Sequence, residues 1–435
     1  MDEHLEALER LIARREPEVL ALLPEDGRFE RLRQEVAGLT RRFPDPAMRP
    51  SLFGVPVGVK DIFNVDGFPT RAGTDLPPEL FAGPEASCVT ALRAAGALVL
   101  AKTVTTQFAY FAPGPTRNPL SAALGEVRTP GGSSSGSAAA VAARFAPLAL
   151  GTQTIGSIIR PASFCDVVGF KPTFGRVPVD GVLPLSPSAD TVGWFTTTVA
   201  GAALAAAVMV PDYRPQTIDH GQRPGSAIPG LSSTVEPRNS PSIVRLGIPD
   251  GPYLARASAA GLDHFRAAVE RLRAAGYDVR LVPAMSDYDD IHRRHNDLVA
   301  YEAARTHAGW FAAYRSAYHP KTAELIERGQ AIGDAGYQQA LVSRQQLREA
   351  LHDLMDSHDL ALWIAPAALG TALPGLDSTG DPVMALPWTH AGLPALSLPA
   401  GTDTAGWPMG VQLVGRFGQD EALLRWAGAL ETGLR

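Results

Sequence analysis

Cysteine is nearly missing from this chain. Cys88 and Cys165 are the only two in 435 residues, too few for a disulfide framework, and the shortage points to a reducing compartment. An excess of one charge sign is missing as well. Lys plus Arg number 39 against 45 Asp plus Glu, a net of −6, which gives no electrostatic reason to expect nucleic acid or an anionic membrane as partner. There is no long hydrophobic run: the longest, Val199 to Val210, is alanine-rich, too short to span a bilayer, and reads as a buried helix. Met1-Asp-Glu-His-Leu is acidic where a signal peptide is basic, and no apolar stretch follows it, so a cytoplasmic protein is expected. A metal centre is not expected either. His292 and His295 are flanked by Arg293 and Arg294, which repel a cation, and the stretch reads as a solvated helix face.

What is present suits a large α/β protein. A chain of this length with a 45% hydrophobic fraction makes either two domains or one large one around a sizeable core. Leucines and isoleucine at helical spacing (Leu5, Leu8, Leu11, Ile12) make an amphipathic helical pair of Asp2 to Arg42, broken near Pro24 and Gly27. Its apolar stripe suits either the body of the protein or a second copy in a homodimer. Leu52 to Phe63 reads as an apolar strand, and a helix from Glu85 leads into a second strand, Ala97 to Lys102, whose polar-aromatic sequel Thr103 to Tyr110 stands where open α/β sheets line their pockets. Residues 214–242 are rich in Pro and Ser without periodicity. Beyond them strand Val244 to Ile248, helix Ser258 to Ala275 and strand Tyr277 to Val282 form a βαβ-like unit. Helical sequence then fills Tyr288 to His358. Strands Leu360 to Ala365 and Pro408 to Val414 and a helix from Asp420 to Leu430 close the chain.

Two features carry chemistry. In Thr129-Pro-Gly-Gly-Ser-Ser-Ser-Gly-Ser137, three glycines allow backbone angles closed to other residues, and the hydroxyls donate and accept together. The run Ala138 to Arg144 reads as a helix, so this loop sits at a helix N-terminus, where N–H groups favour negative charge. The same composition also makes flexible linkers. The second feature is Lys60, a lysine near the end of an apolar strand: either it leaves the strand for solvent, or, if embedded, loss of water lowers its pKa and can leave it neutral and basic. Alternation points Lys60 and Asp61 to opposite faces, so they need not be a pair.

Four segments, Gly54-Val-Pro-Val-Gly-Val-Lys-Asp61, Pro130 to Ser137, Gly151 to Pro161 with Gly169-Phe-Lys-Pro172, and Gly392-Leu-Pro-Ala395 with Pro408 to Gly415, together resemble the amidase signature family of serine amidohydrolases. The resemblance implies a single large α/β/α domain over residues 1–435, with a central mixed, mostly parallel, twisted sheet flanked by helices. Its parts are a helical segment at 1–45, a signature core at 50–200, the loop at 214–242, a variable part at 243–358, and a part at 359–435 that completes the sheet. It also implies that Ser157 is the nucleophile, that Ser133, on a cis peptide, is the bridging serine, and that Lys60 is the base. Backbone N–H groups from Thr154 through Ile155 and Gly156 to Ser157 then form an oxyanion hole. No cofactor and no metal are implied, and the partner is a small-molecule amide.

Three departures qualify this. Ile155 stands where the family usually has Gly or Ala, and a β-branched residue cannot take the positive φ open to glycine, so a narrowed acyl pocket or a re-aimed donor is expected. Gln107 replaces a common Glu. Arg160, three residues past Ser157, and Thr379-Gly-Asp-Pro382 resemble the malonamidase, biuret-type and allophanate hydrolases. Arg160 suits a substrate carboxylate or a brace for the loop. The main expectation is an amidase of small amides. The alternatives are the A-type component of a glutamine-dependent tRNA amidotransferase and a weakened binding or scaffold homologue.

Overall fold

Strands form where β-branched and apolar residues run together, and here they assemble into one sheet. The structure, a computed structural model, describes residues 2–214 and 244–434, so nearly all of the Pro/Ser-rich stretch lies outside the described residues. The strands are β1 (Pro56–Lys60), β2 (Leu98–Thr103), β3 (Leu148–Gln153), β4 (Val168–Lys171), β5 (Thr191–Thr196), β6 (Arg245–Asp250), β7 (Asp278–Pro283), β8 (Leu362–Pro366), β9 (Ala395–Thr402) and β10 (Pro408–Val414). Around them lie α1 (Asp2–Val19), α2 (Arg28–Arg42), α3 (Ser87–Ala94), α4 (Ser121–Leu124), α5 (Ser135–Ala142), α6 (Ile159–Phe164) and α7 (Val199–Met209). The second half contributes α8 (Ala259–Ala274), α9 (Tyr288–Thr306), α10 (Ala308–Tyr314), α11 (Pro320–Gln330), α12 (Asp334–Ser357), α13 (Leu386–His390) and α14 (Asp420–Leu434). Among the described residues no helix is long and apolar enough to cross a membrane.

The sheet order is β2-β1-β3-β5-β4-β9-β10-β8-β6-β7. Pairing is parallel at the two ends, β2-β1-β3 and β8-β6-β7, and antiparallel through the middle. The sheet is mixed as expected, but the lean toward parallel pairing stops at the flanks. The reason is connection length and insertion. The turn between β9 and β10, pinned by Asp403 Oδ1 accepting from the N–H groups of Ala405 and Trp407, is too short for a crossover. β5 also inserts between β3 and β4 and runs against both.

Neighbouring residues on the strands enter opposite layers. Leu413, Leu396 and Ile364 join a cluster with Val199, Leu272 and Leu424 from α7, α8 and α14. Val414, Ala395 and Ala365 join one with Val299, Leu351 and Trp388 from α9, α12 and α13. Helices therefore cover both faces, and period-two alternation sets which residue serves which layer. The N-terminal stripe is used within the chain: Leu5, Leu8, Ile12, Leu32 and Val36 are buried with Leu98, Leu100 and Ala139 of β2 and α5.

Candidate active site

Parallel strands β1 and β3 end side by side, and the loops beyond them meet. Lys60 is the last residue of β1 and is fully buried. Its Nζ lies 2.8 Å from Ser133 Oγ and 2.9 Å from Thr152 Oγ1. Burial pulls this amine down to about 7, with the carboxylate of Asp190 opposing the shift. At neutral pH about half of the amine is therefore free base, far more than for an ordinary lysine. Asp61 points elsewhere, as alternation requires: it pairs with Lys102 at 2.8 Å.

The glycine-serine loop is no linker. Residues 130–141 are buried throughout, and the peptide between Gly132 and Ser133 is cis. The hydroxyls around Ser133 stitch the loop to its surroundings. Ser134 Oγ donates to Thr152 O, Ser135 Oγ donates to Gly131 O, and Ser137 Oγ donates to Leu150 O. Helix α5 starts at Ser135, three residues before the alanine run, so Ser133 stands just ahead of its first turn.

The loop after β3 is held by its carbonyls. Gly156 O accepts from Arg160 N, Ile155 O from Thr389 Oγ1 at 2.8 Å, and Thr154 O faces His295 Nε2 at 3.1 Å. Gln153 Oε1 accepts from Ile158 N and Ile159 N, capping α6. Thr154 Oγ1 donates to Asp190, which also accepts from Leu185 N and Ser186 N, and burial pushes that carboxyl up to about 6. With the carbonyls turned outward, the N–H groups of Ile155, Gly156 and Ser157 meet no protein acceptor among the described residues. Gly156 is required by close approach: a Cβ there would stand 2.7 Å from Pro382 Cβ. A Cβ on Gly132 would likewise meet Thr379 at 2.7 Å. The segment Thr379 to Pro382 thus lies across both loops.

Several expectations change in this setting. Ile155 has no positive φ, so the backbone angle open to glycine is not used there, and its side chain lies in an apolar cluster with Ile159, Leu185 and Ala385. His295 is not on a solvated face. It is fully buried, because α9 turns that side toward the loop after β3. Gln107 braces the chain ahead of α11, donating through Nε2 to Ala317 O and accepting at Oε1 from His319 N. A glutamate could only accept there. Thr152, Asp190 and Thr389 are not picked out by the sequence pattern; for Thr152 the signal is β3, which carries it one residue before its end.

Arg160 is fully buried, and burial lowers its guanidinium to about 10. Its Nη2 donates to Gly132 O at 2.7 Å and to Thr379 Oγ1 at 3.2 Å, while Nε and Nη1 are buried without a partner among the described residues. A cavity of about 380 Å³ opens nearby, lined in part by Tyr110, Phe111, Lys321, Arg328, Gly380 and Asp381. Both Phe111 and Gly380 adjoin Arg160: the guanidinium carbon is 6.0 Å from the Phe111 ring centre, and a Cβ on Gly380 would stand 3.3 Å from Arg160 Cδ.

A large mixed sheet flanked by helices, with a buried lysine facing a serine loop, defines the class as an α/β protein. Residues 28–424 match the amidase family model, and the chain belongs to that family. The A component of the glutamyl-tRNA(Gln) amidotransferase of Nitratidesulfovibrio vulgaris (strain DP4) is 33% identical over 96% of this chain and 90% of its own length. An amidase crystal structure superposes with a TM-score of 0.82 at 31% identity, covering 99% of this chain and 95% of the other. The peptide amidase of Stenotrophomonas maltophilia gives 0.79 at 26% identity over 99% and 93%.

Proposed function

We propose that the protein cleaves the C–N bond of a small amide through an acyl-enzyme on Ser157. The observation that carries this is the 2.8 Å contact between the buried Lys60 amine, which burial pulls down to about 7, and Ser133 Oγ. In this reading Ser157 Oγ attacks the amide carbonyl and its proton reaches Lys60 by way of Ser133; the Ser133–Lys60 half of that route is the one held by a hydrogen bond among the described residues. Negative charge developing on the carbonyl oxygen is met by the N–H groups of the loop from Thr154 to Ser157. When the C–N bond breaks, the proton returns along the same route to the departing nitrogen. Water repeats the sequence on the ester and releases the acid. Thr152 accepts an N–H of the amine, which leaves the lone pair directed at Ser133.

This reading fixes a pH dependence. Lys60 works as the unprotonated amine, so kcat/KM rises as pH increases through about 7, where burial places this group. Rates on a substrate that does not itself titrate check this. A profile flat from acid to alkaline pH would remove Lys60 as the base.

The free nitrogens of Arg160 support a substrate with an acidic group, as in the malonamidase, biuret-type and allophanate hydrolases. Because Nη2 also braces Gly132 O, Arg160→Ala lowers activity on every amide. Selectivity isolates the second role: the preference for a carboxylated amide over its neutral analogue falls by about 10- to 100-fold, the worth of a hydrogen bond to a charged group. An unchanged preference leaves Arg160 as a brace alone.

A second reading is favoured by the sequence relatives: an amidotransferase component that releases ammonia from glutamine within an assembly. Glutamine is itself a small amide with a carboxylate, so the same site chemistry accommodates it. Product analysis over aliphatic, aryl and carboxylated amides and glutamine, with and without the co-expressed partners of a tRNA amidotransferase, separates the two. Turnover of glutamine only with the partners present selects the second. The scaffold alternative was kept because of Ile155, whose φ is not positive; a protein that takes no fluorophosphonate at Ser157 would select it.

A further inference from the structure

Behind the loop after β3 lies a buried chain of polar groups that the proton relay does not use. His295 Nδ1 is 3.3 Å from His390 Nδ1, and His390 Nε2 is 2.7 Å from Ser343 Oγ. At the inner end, His295 Nε2 is 3.1 Å from Thr154 O. Burial drives both rings neutral, His295 to about 3 and His390 well below its ordinary range, with the nearby Arg344 adding to both shifts.

A neutral imidazole carries one N–H, so each ring donates from one nitrogen and accepts at the other. The carbonyl at the inner end then sets the direction of the whole chain. Thr154 O can only accept, so His295 Nε2 carries the hydrogen and His295 Nδ1 accepts from His390 Nδ1–H. His390 Nε2 in turn accepts from the Ser343 hydroxyl. The opposite order, with Ser343 donating to Ala340 O, would set a ring lone pair against the Thr154 carbonyl.

The Thr154 carbonyl and the Ile155 N–H belong to one planar trans peptide, and their bonds point in opposite directions. Holding the oxygen toward α9 aims the N–H the other way. We infer that His295 is a positioning residue for the oxyanion donors, fixing the Thr154–Ile155 peptide from behind while His390 and Ser343 fix the imidazole. Thr389 Oγ1 holds the next carbonyl, that of Ile155, so two side chains from different helices orient successive peptides. The inference rests on the amidase reading, because only a reaction that develops an oxyanion makes the direction of that N–H matter.

The test compares His295→Leu, which removes the donor, with His295→Gln, whose amide returns an N–H near the Nε2 position. A fluorophosphonate counts reactive Ser157, kcat and KM are read on the best amide, and the affinity of phenylboronic acid reports the tetrahedral adduct. His295→Leu is expected to lose about 100-fold in kcat, the scale of one oxyanion donor. KM and affinity for the product acid stay near the parent values, phenylboronic acid binding weakens in step with kcat, and His295→Gln recovers most of the loss. If His295→Leu does not fold, His295→Asn, too short to reach Thr154 O, takes its place with the same expectation. A parent-like kcat in the donorless variant, even with a lowered melting temperature, makes His295 a packing residue and overturns the inference alone. A parent protein that takes no fluorophosphonate at Ser157 overturns the amidase reading beneath it.

Discussion

Ser157→Ala lowers kcat for amide hydrolysis by about a million-fold, or roughly 8 kcal/mol, the scale seen when a nucleophile is removed from residues that act as a unit. Fluorophosphonate incorporation disappears with it. The substitution deletes one hydroxyl at a site that α6, capped by Gln153, holds in place independently of that group. The melting temperature therefore stays near that of the parent, and the loss belongs to chemistry. A variant that retains a tenth of the parent rate would move the nucleophile elsewhere, with Ser133 the next hydroxyl to examine.

The second large effect is Lys60→Met, which lowers kcat/KM by about 10⁴, the upper end of what a positioned general base contributes. Methionine fits the same buried channel without an ionisable group. Folding no longer has to strip water from an amine, so stability is retained or rises. The lost amine also leaves Ser133 without a proton acceptor, which breaks the relay at its end. Fluorophosphonate labelling of Ser157 slows to match. A fall in stability with little change in rate would assign Lys60 to the core.

The sequence pattern located the strands and the chemical loops but not their partners. β1 and β2 were legible because buried parallel strands read as unbroken apolar runs. The pairing of β4 with β9, which sets Gly169 beside Ser397, joins segments too far apart for periodicity to connect, and periodicity carries no strand direction. That is why the antiparallel middle of the sheet was missed. Lys60, Ser133 and Ser157 stood out through glycine-bearing motifs and a lysine out of place in an apolar strand. His295 failed for the opposite reason: its charged neighbours in sequence suggested solvent. Ile291, Leu298 and Val299, one turn away on either side, are buried, and that helical spacing was the signal. Its contact with His390 arises only when α9 and α13 pack, so no local pattern announces it.

The mechanism turns on whether the amine at the end of β1 is uncharged at neutral pH. NMR titration of the lysine side-chain amines, with the Lys60 signal assigned by its absence in Lys60→Met, measures this directly. The assignment also separates it from Lys171, a second buried lysine that burial lowers to about 7. A Lys60 midpoint close to 7 is the predicted result. A midpoint at the ordinary lysine value of about 10.4 would leave Ser133 facing an ammonium that cannot take its proton, and would contradict the relay.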